Sequence, residues 1–538
     1  MGIGGITYKT INGKRYAYYQ WTENGKQRSR RVKDDEFAEL AAKIAVEKAK
    51  KASAKMMVAE PSIAYSAAPQ FKTDIKTGAL LVNFCKSVSK WEKRECFGSL
   101  HDYIYGENND RILILYGLRR TGKTTLVRQA IGEMPAEMRA KTAFIQLNSR
   151  LTLADVNHDL KLLETLGFRY VFIDEVTLLG DFIEGAALFS DVFAAGGMKV
   201  VLSGTDSLGF VFSEDEQLFD RCQLLHTTFI PYREFERVLK VKGIDNFIEY
   251  GGTMSRLFVN KKSADDYVDS AIARNIQHSL KRYQHEGHFR SLQQLYDAGE
   301  LTSAINRIVE DVNHRFTMEV LTQKFLPHVT KRLKKLLLIR DKEEQSVNIS
   351  DAHRTEIREY LDLLDLTCDI DVVNMSNLNE RKVRTMFSQP GLRYTQAAAL
   401  IQSLLLDGTF RNTAIAERMA IEERILDEIR GRMMEEIVLL ETKLARPEMQ
   451  VFQLQFAVGE FDMVVFDPVH ACCEIYEIKH SDKIAAEQCR HLLNPRKCAE
   501  TEFRYGRILS KNVIYRGPST LRQGINYVNV EEYLTFQR

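Results

Sequence analysis

The sequence carries no excess of charge, no long apolar run and few cysteines, and each shortage excludes something. Lys and Arg number 75 against 73 Asp and Glu, a formal net charge of +2. No global field therefore argues for nucleic acid, and any such signal is local. No apolar stretch approaches the length that spans a bilayer, and "MGIGGITYKTINGKRYAYY" lacks a signal-peptide core. Position 6 is Ile rather than Ser or Thr, a poor myristoylation match. The expected setting is cytoplasmic, with no membrane partner. The 8 cysteines include no C-x-x-C pair, which fits reduced thiols. His470, Cys472, Cys473, His480, Cys489, His491 and Cys498 crowd one stretch. Buried small hydrophobes explain them better than a metal or iron–sulfur site, which wants a more regular spacing.

A chain of 538 residues is too long for one core. Its patterning predicts an α/β multidomain protein without internal repeats. Residues 1–52 read as a small basic module of three β-rich runs, "GITYKTI", "KRYAYYQWT" and "KQRSRRV", followed by a helix over 34–52. Lys14, Arg15, Lys26, Arg28, Arg30 and Arg31 face only Glu23 there, interleaved with tyrosines. The module resembles the small arm-binding domains of phage-type integrases, which implies a sheet laid in a DNA groove; a solvated face or a protein-docking module fits the residues equally. Residues 53–75 read as an Ala/Ser/Pro linker. Strand runs alternate with helical patterns over 76–258, which predicts a parallel sheet covered on both faces. Residues 259–410 read as helical, with a winged helix as one form and "KRLKKLLLIR" as a solvated helix face. Residues 411–538 return to mixed helix and strand.

"GLRRTGKTT" follows the strand "RILILY" and opens the helix "TTLVRQAIGEM". That context makes Gly117, Leu118, Arg119, Arg120, Thr121, Gly122, Lys123, Thr124 and Thr125 a phosphate loop. Backbone N–H groups would curl around the β-phosphate, Lys123 would bridge β- and γ-phosphates, and the Thr124 hydroxyl would ligate Mg²⁺. "YVFIDEV" ends a buried strand in two acids. Asp174 is expected to hold Mg²⁺ and Glu175 to polarise the attacking water. Thr205 and Asp206, ending "KVVLSGTDS", stand where a γ-phosphate sensor would sit. The cofactors expected are ATP and Mg²⁺.

"ILYGLRRTGKTTL", "YVFIDEV", "VLSGTDS" and "FDRCQLLHTTFIPYREF" together resemble the prokaryotic AAA-type family often called archaeal ATPases, near the STAND NTPases. The resemblance covers most of residues 80–538, including "SQPGLRYTQAAALI". It implies that Arg221, before "PYREF", is an arginine finger or sensor; a structural Arg paired with Glu234 or another acid is the alternative. An Arg acting in trans would require a homo-oligomer. The family's Gly-Gly-x-Pro corner stands here as "GGTMS", without the proline.

Many members of that family end in a domain like the PD-(D/E)xK nucleases, whose pattern is an acid on one strand, Glu-x-Lys on the next and a Glu on a preceding helix. By that resemblance Asp462, Glu477, Lys479 and Glu435 form a catalytic set, with Asp462 and Glu477 as ligands of Mg²⁺ or Mn²⁺. Gln488 would add a phosphate or water contact. "EFD" stands in place of the family's "PD". Pairing Phe466 with Cys473 in a hairpin puts Asp462 opposite Glu477, so both carboxylates and Lys479 share a face. The bland alternative is a cross-strand ion-pair set. The function expected is an Mg²⁺-dependent ATPase that controls a nuclease-like domain acting on DNA, in defence or DNA processing. A STAND-like switch with an inactive nuclease fold, and a scaffold that holds ATP without hydrolysing it, are the rivals.

Overall fold

The computed structural model describes residues 5–11, 14–23, 26–33, 36, 70–107, 110–205, 218, 220–255, 257–282, 289–309, 349–377, 382–406, 408–410 and 413–536. The helix expected over 34–52 apart from Glu36, most of the linker, Asp206 and the basic stretch at 331–340 lie outside them. The chain divides into two compact units, Met1–Gln70 and Phe71–Arg538.

In the first unit β1 (Gly5–Ile11), β2 (Lys14–Glu23) and β3 (Lys26–Arg31) form an antiparallel three-stranded sheet in that order. Tyr19 pairs with Arg30 and Trp21 with Arg28, so alternation puts all four on one face. The Tyr19 and Trp21 rings stack at 5.5 Å.

The second unit begins inside the expected linker, because β4 (Asp74–Lys76) pairs antiparallel with a strand of the first large sheet. That sheet also holds β5 (Ile112–Tyr116), β6 (Thr142–Gln146), β7 (Tyr170–Asp174), β8 (Lys199–Gly204) and β9 (Cys222–His226). Its order is β4-β6-β7-β8-β5-β9, and every pairing except that of β4 is parallel. Ile112 and Ile114 enter one core while Leu113 and Leu115 enter the other. Burial on both faces is why these strands read as unbroken apolar runs. Helix α1 (Lys123–Glu133) follows β5. The carboxyl ends of β5, β7 and β8 share one edge, where open parallel sheets bind ligands.

Beyond β9 come α2 (Tyr232–Leu239) and α3 (Ile244–Tyr250). The C-terminal sheet is larger than the sequence predicts. Strands β10 (Thr367–Asn374) and β11 (Lys382–Phe387) arise within the stretch expected to be helical, and "TCDIDVVN" has the polar–apolar alternation of a strand. They join β12 (Gln450–Gln455), β13 (Glu460–Asp467), β14 (Cys472–Lys479), β15 (Arg507–Tyr515), β16 (Thr520–Arg522) and β17 (Ile525–Asn529). The eight-stranded order is β11-β10-β12-β13-β14-β15-β17-β16. Helices α4 (Pro390–Leu405) and α5 (Ile415–Ala445) precede β12, and α6 (Pro495–Tyr505) precedes β15. Residues of α5 and of the C-terminal sheet share one core with Tyr232, Phe235, Ile244 and Phe247 of α2 and α3. The two halves of this unit are therefore fused through apolar packing. Cys473, Cys489 and Cys498 lie in the core on the opposite face of the sheet, beside Leu492 and Tyr505. Among the described residues no helix is long and apolar enough to cross a membrane.

Candidate functional site

The loop between β5 and α1 is held by its carbonyl oxygens. Lys123 Nζ donates to the Gly117 and Leu118 carbonyls at 2.8 Å each. Tyr267 Oη donates to the Arg119 carbonyl at 3.3 Å, and Met254 N–H to that of Arg120 at 2.9 Å. Arg94 Nη1 donates to the Thr121 carbonyl at 2.9 Å. These bonds to the carbonyls fix the course of the loop ahead of α1, whose N-terminus suits an anion. Gly117 has φ +139°, and a Cβ there would stand 2.3 Å from the Thr227 carbonyl oxygen, so only glycine fits. Burial lowers the Lys123 pKa to about 8 even though Glu175 and Asp174 favour its charge.

Asp174 ends β7 buried. Its Oδ2 accepts from Thr124 Oγ1 at 2.8 Å, and its Oδ1 from the Glu175 N–H at 3.1 Å and from Ser203 Oγ. Thr124 and Asp174 thus present adjacent oxygens from strand tip and helix start, a pairing that fits a magnesium ion. Glu175 adopts φ +59°, a left-handed strain that a non-glycine residue carries only where its surroundings enforce it. Burial, then the Asp174 charge, pushes the Glu175 carboxyl above its ordinary value. Thr205 Oγ1 lies 3.4 Å from Glu175 Oε2, and Asn275 Nδ2 donates to the Thr205 carbonyl at 3.1 Å. Thr125 occupies the first turn of α1.

Arg221 lies elsewhere. It immediately precedes β9, and Ile112 at the start of β5 donates to its carbonyl, which puts it at the sheet edge opposite the phosphate loop. Its Nε donates to Asp191 at 2.7 Å. It cannot serve as a sensor of the nucleotide in its own chain. Nor does it pair with Glu234. That acid binds Arg94, with Nε to Oε2 at 2.6 Å, and both side chains are buried. Arg94 also donates to the Thr228 and Phe229 carbonyls, so one guanidinium ties the phosphate loop to the start of α2. No motif marks Arg94 in the sequence.

In the C-terminal sheet Phe466 does pair with Cys473, and Met463 with Tyr476, the register that sets Asp462 opposite Glu477. Lys479 Nζ lies 2.7 Å from both Asp462 Oδ2 and Glu477 Oε2. Asp462 Oδ2 also accepts the Ile478 N–H at 2.7 Å. These three side chains line a cavity of about 360 Å³ with Gln455, Phe456, Gly459, Glu460 and His491. Burial and the Asp462 charge push Glu477 up to about 8. Burial opposes the charge on Lys479, but Asp462, Glu477 and Glu435 outweigh it and raise its pKa. Glu477 is 2% exposed, and its Oε1 has no hydrogen-bond partner. A buried oxygen without a donor fits a cation. Among the described residues no group of three or more His, Cys, Asp or Glu could hold a metal, so a cation on this acid pair would complete its shell with water.

Glu435 does not line the cavity; it pairs with Arg432 one turn earlier on α5, although its charge still acts on Lys479. Glu460 takes a place there, and its position two residues before Asp462 on a strand was the signal. The Gln488 amide is consumed by its own turn, accepting from the Ala485 N–H at 3.1 Å and donating to the Lys483 carbonyl at 2.8 Å.

One short segment reaches both sites. At the start of α3, Asp245 Oδ2 pairs with Arg516 Nη2 at 2.7 Å, and its other oxygen faces His480, the residue after Lys479. At the far end Gly251 and Gly252 turn the chain, and Met254 N–H reaches the Arg120 carbonyl of the phosphate loop. A Cβ on Gly252, at φ +100°, would stand 2.7 Å from Gln389 Cα. The corner therefore closes through glycine, without the proline that the family uses.

Residues 109–236 match the family described as AAA domain, and residues 3–42 match a domain of unknown function (DUF6788). Among curated proteins none matches the chain. Among solved structures the chain is similar to the Aeropyrum pernix ORC1 protein in complex with DNA, at 14% identity over 59% of this chain and 93% of that one, TM-score 0.24. It is also similar to the S. cerevisiae Hsp104:casein complex, at 14% identity over 56% and 60%, TM-score 0.27. For the Thermotoga maritima RuvB Holliday junction branch migration motor the identity is 15% over 53% and 69%, TM-score 0.18. At TM-scores this low none of the three bears on what this chain does. The matched segment holds the phosphate loop, Asp174 and Glu175, and residues 109–236 are an AAA-type P-loop ATPase domain.

Proposed function

We propose that ATP binding and turnover at the phosphate loop control the C-terminal acid–lysine site, and that this site acts on DNA in the cytoplasm. The observation that carries the reading is the Asp462–Lys479–Glu477 cluster, buried in a cavity with Glu477 Oε1 unpartnered. Charged groups kept out of water at that cost serve a partner or a reaction. Asp462 and Glu477 would hold Mg²⁺ or Mn²⁺, which would acidify a water and stabilise charge on a phosphodiester. Lys479 would orient the nucleophile. The segment from Asp245 to Met254 supports the control. The Tyr19, Trp21, Arg28 and Arg30 face of the first unit combines cations with aromatics, a set that suits nucleic acid or a protein partner.

At the phosphate loop, Thr124 and Asp174 would hold Mg²⁺ with ATP, Lys123 would bridge the phosphates, and Glu175 would polarise the attacking water with Thr205 beside it. Arg221, remote from its own loop, would serve the nucleotide of a neighbouring copy in a homo-oligomer.

A second reading, a regulatory ATPase whose nuclease-like domain only binds, is favoured by the same Lys479 bridge, which satisfies one oxygen of each acid without a metal. Incubating the chain with plasmid DNA, Mn²⁺ and ATP separates the two. Degradation that Asp462→Ala and Lys479→Ala each stop, with ATP hydrolysis intact, supports the first. Binding without degradation selects the second, and cleavage surviving both substitutions places the chemistry elsewhere.

A further inference from the structure

The cavity that holds the acid pair is also lined by a residue of another character. His491 lines it, and Lys497 Nζ lies 2.9 Å from His491 Nδ1. Lys497 stands in the first turn of α6, where its N–H is capped by Asn494 Oδ1 at 3.2 Å. It is buried, with its ammonium 4.7 Å from the centroid of the Phe456 ring. Gly459, at φ +75°, makes room for the pair. A Cβ there would meet His491 Cε1 at 2.4 Å, His491 Nε2 at 2.7 Å and Lys497 Nζ at 3.0 Å.

An ammonium only donates, so His491 Nδ1 accepts and the ring proton sits on Nε2. Burial, then the Lys497 charge, holds the His491 pKa below its ordinary value, so the ring is a neutral donor near pH 7. Glu460, Asp462 and Glu477 line the same cavity. An acid pair suited to a divalent cation and, in the same cavity, an N–H donor backed by a buried cation match one ligand chemistry, a phosphoryl group whose oxygens take both.

We propose that His491 is a substrate-contacting residue of this site, donating from Nε2 to a non-bridging oxygen of a nucleic-acid phosphate, and that Lys497 is the positioning residue that fixes its tautomer and orientation. The inference rests on the reading of Asp462 and Glu477 as cation ligands and adds the half of the site that holds the anion. His491 takes the part expected of Gln488, whose amide is occupied.

The test uses the full chain with deoxythymidine 3′,5′-bisphosphate as probe, its affinity measured by calorimetry in Ca²⁺, beside Mn²⁺ affinity from electron paramagnetic resonance. His491→Ala should weaken the bisphosphate about tenfold or more, the size of one hydrogen bond to a charged acceptor. Mn²⁺ affinity and ATP hydrolysis should not change, the latter serving as the folding control. His491→Gln, which keeps an N–H near the Nε2 position, should recover most of the loss. Lys497→Met should weaken the probe and Lys497→Arg should restore part of it. Wild-type affinity in His491→Ala overturns the proposal, as does a wild-type chain that binds Mn²⁺ but not the bisphosphate. A wild-type chain that binds no Mn²⁺ instead overturns the acid-pair reading beneath it. Inorganic phosphate binding as tightly as the bisphosphate would overturn nucleic acid as the source of the phosphoryl group.

Discussion

Asp245 Oδ1 lies 2.9 Å from His480 Nε2, so α3, shortly after the matched segment, is bound to the residue that follows Lys479. The His480 hydrogen bond, ahead of the opposing effect of burial and with help from Arg516, holds the Asp245 carboxyl below its ordinary range. Asp245→Ala should leave ATP hydrolysis within about twofold, because surface-side polar contacts away from the nucleotide carry little of the barrier. It should remove the effect of ATP on the C-terminal site. Paired DNA-cleavage assays with and without ATP check this, and an undiminished ATP effect in the variant would show that control runs through other contacts.

Glu175→Gln should retain nucleotide affinity and lose turnover about a hundredfold or more, the usual share of a positioned general base. Lys123→Ala should lose the affinity itself. Calorimetry with magnesium nucleotide and a phosphate-release assay read the two effects separately. Equal phosphate release from wild type and Glu175→Gln would remove Glu175 from the chemistry.

Arg94→Met should destabilise the chain by about 3–5 kcal/mol, because it leaves the buried Glu234 carboxylate without its partner. The same substitution frees the Thr121 carbonyl, so nucleotide binding should weaken too. The double substitution Arg94→Met with Glu234→Leu should recover much of the stability but not the loop geometry. Thermal unfolding and nucleotide titration of the three variants test this, and a single variant as stable as wild type would refute it.

Glu441 on α5 accepts the Tyr232 N–H at 2.7 Å, and its Oε2 has no partner. Burial pushes this carboxyl up to about 8. The folded chain thus keeps a proton that the unfolded chain, near the usual glutamate value of about 4.3, has lost. The stabilisation is complete below that value and falls as pH rises toward 8, by at most about 1.4 kcal/mol per pH unit. Glu441→Gln retains an acceptor for Tyr232 and does not titrate. Its unfolding midpoint should match wild type near pH 4 and exceed it increasingly as pH rises toward 8; parallel curves across that range would count against a buried proton on Glu441.

The elements that local pattern governs were legible. A loop between an apolar strand and a helix marked the phosphate site, and pairing the two strand runs as a hairpin gave the Phe466–Cys473 register. What stayed hidden depends on partners distant in sequence. Arg94 shows no motif, because the carbonyls it serves and Glu234 are joined to it only by folding. Arg221 comes after the β8 strand in sequence, but it stands at the beginning of β9, beside the start of β5 rather than the end that carries the phosphate loop. Ser203 reaches Asp174 because β7 and β8 are neighbours, and sequence spacing alone drew attention to Thr205 instead. Nothing in the sequence shows that the Gln488 amide is taken up by its own turn; folding closes it.

Strand β10 runs parallel to β12, pairing Asp371 with Phe452, and β11 lies beyond it. A fragment beginning at residue 411 would strip both away. It would bare the hydrogen-bonding edge of β12, an invitation to pair with other chains and precipitate. It would also uncover the side of α5 that rests on Tyr232 and Phe247. Attempts to isolate the C-terminal half should therefore retain the hairpin and α4, and should expect solubility to depend on α2 and α3, which share its core.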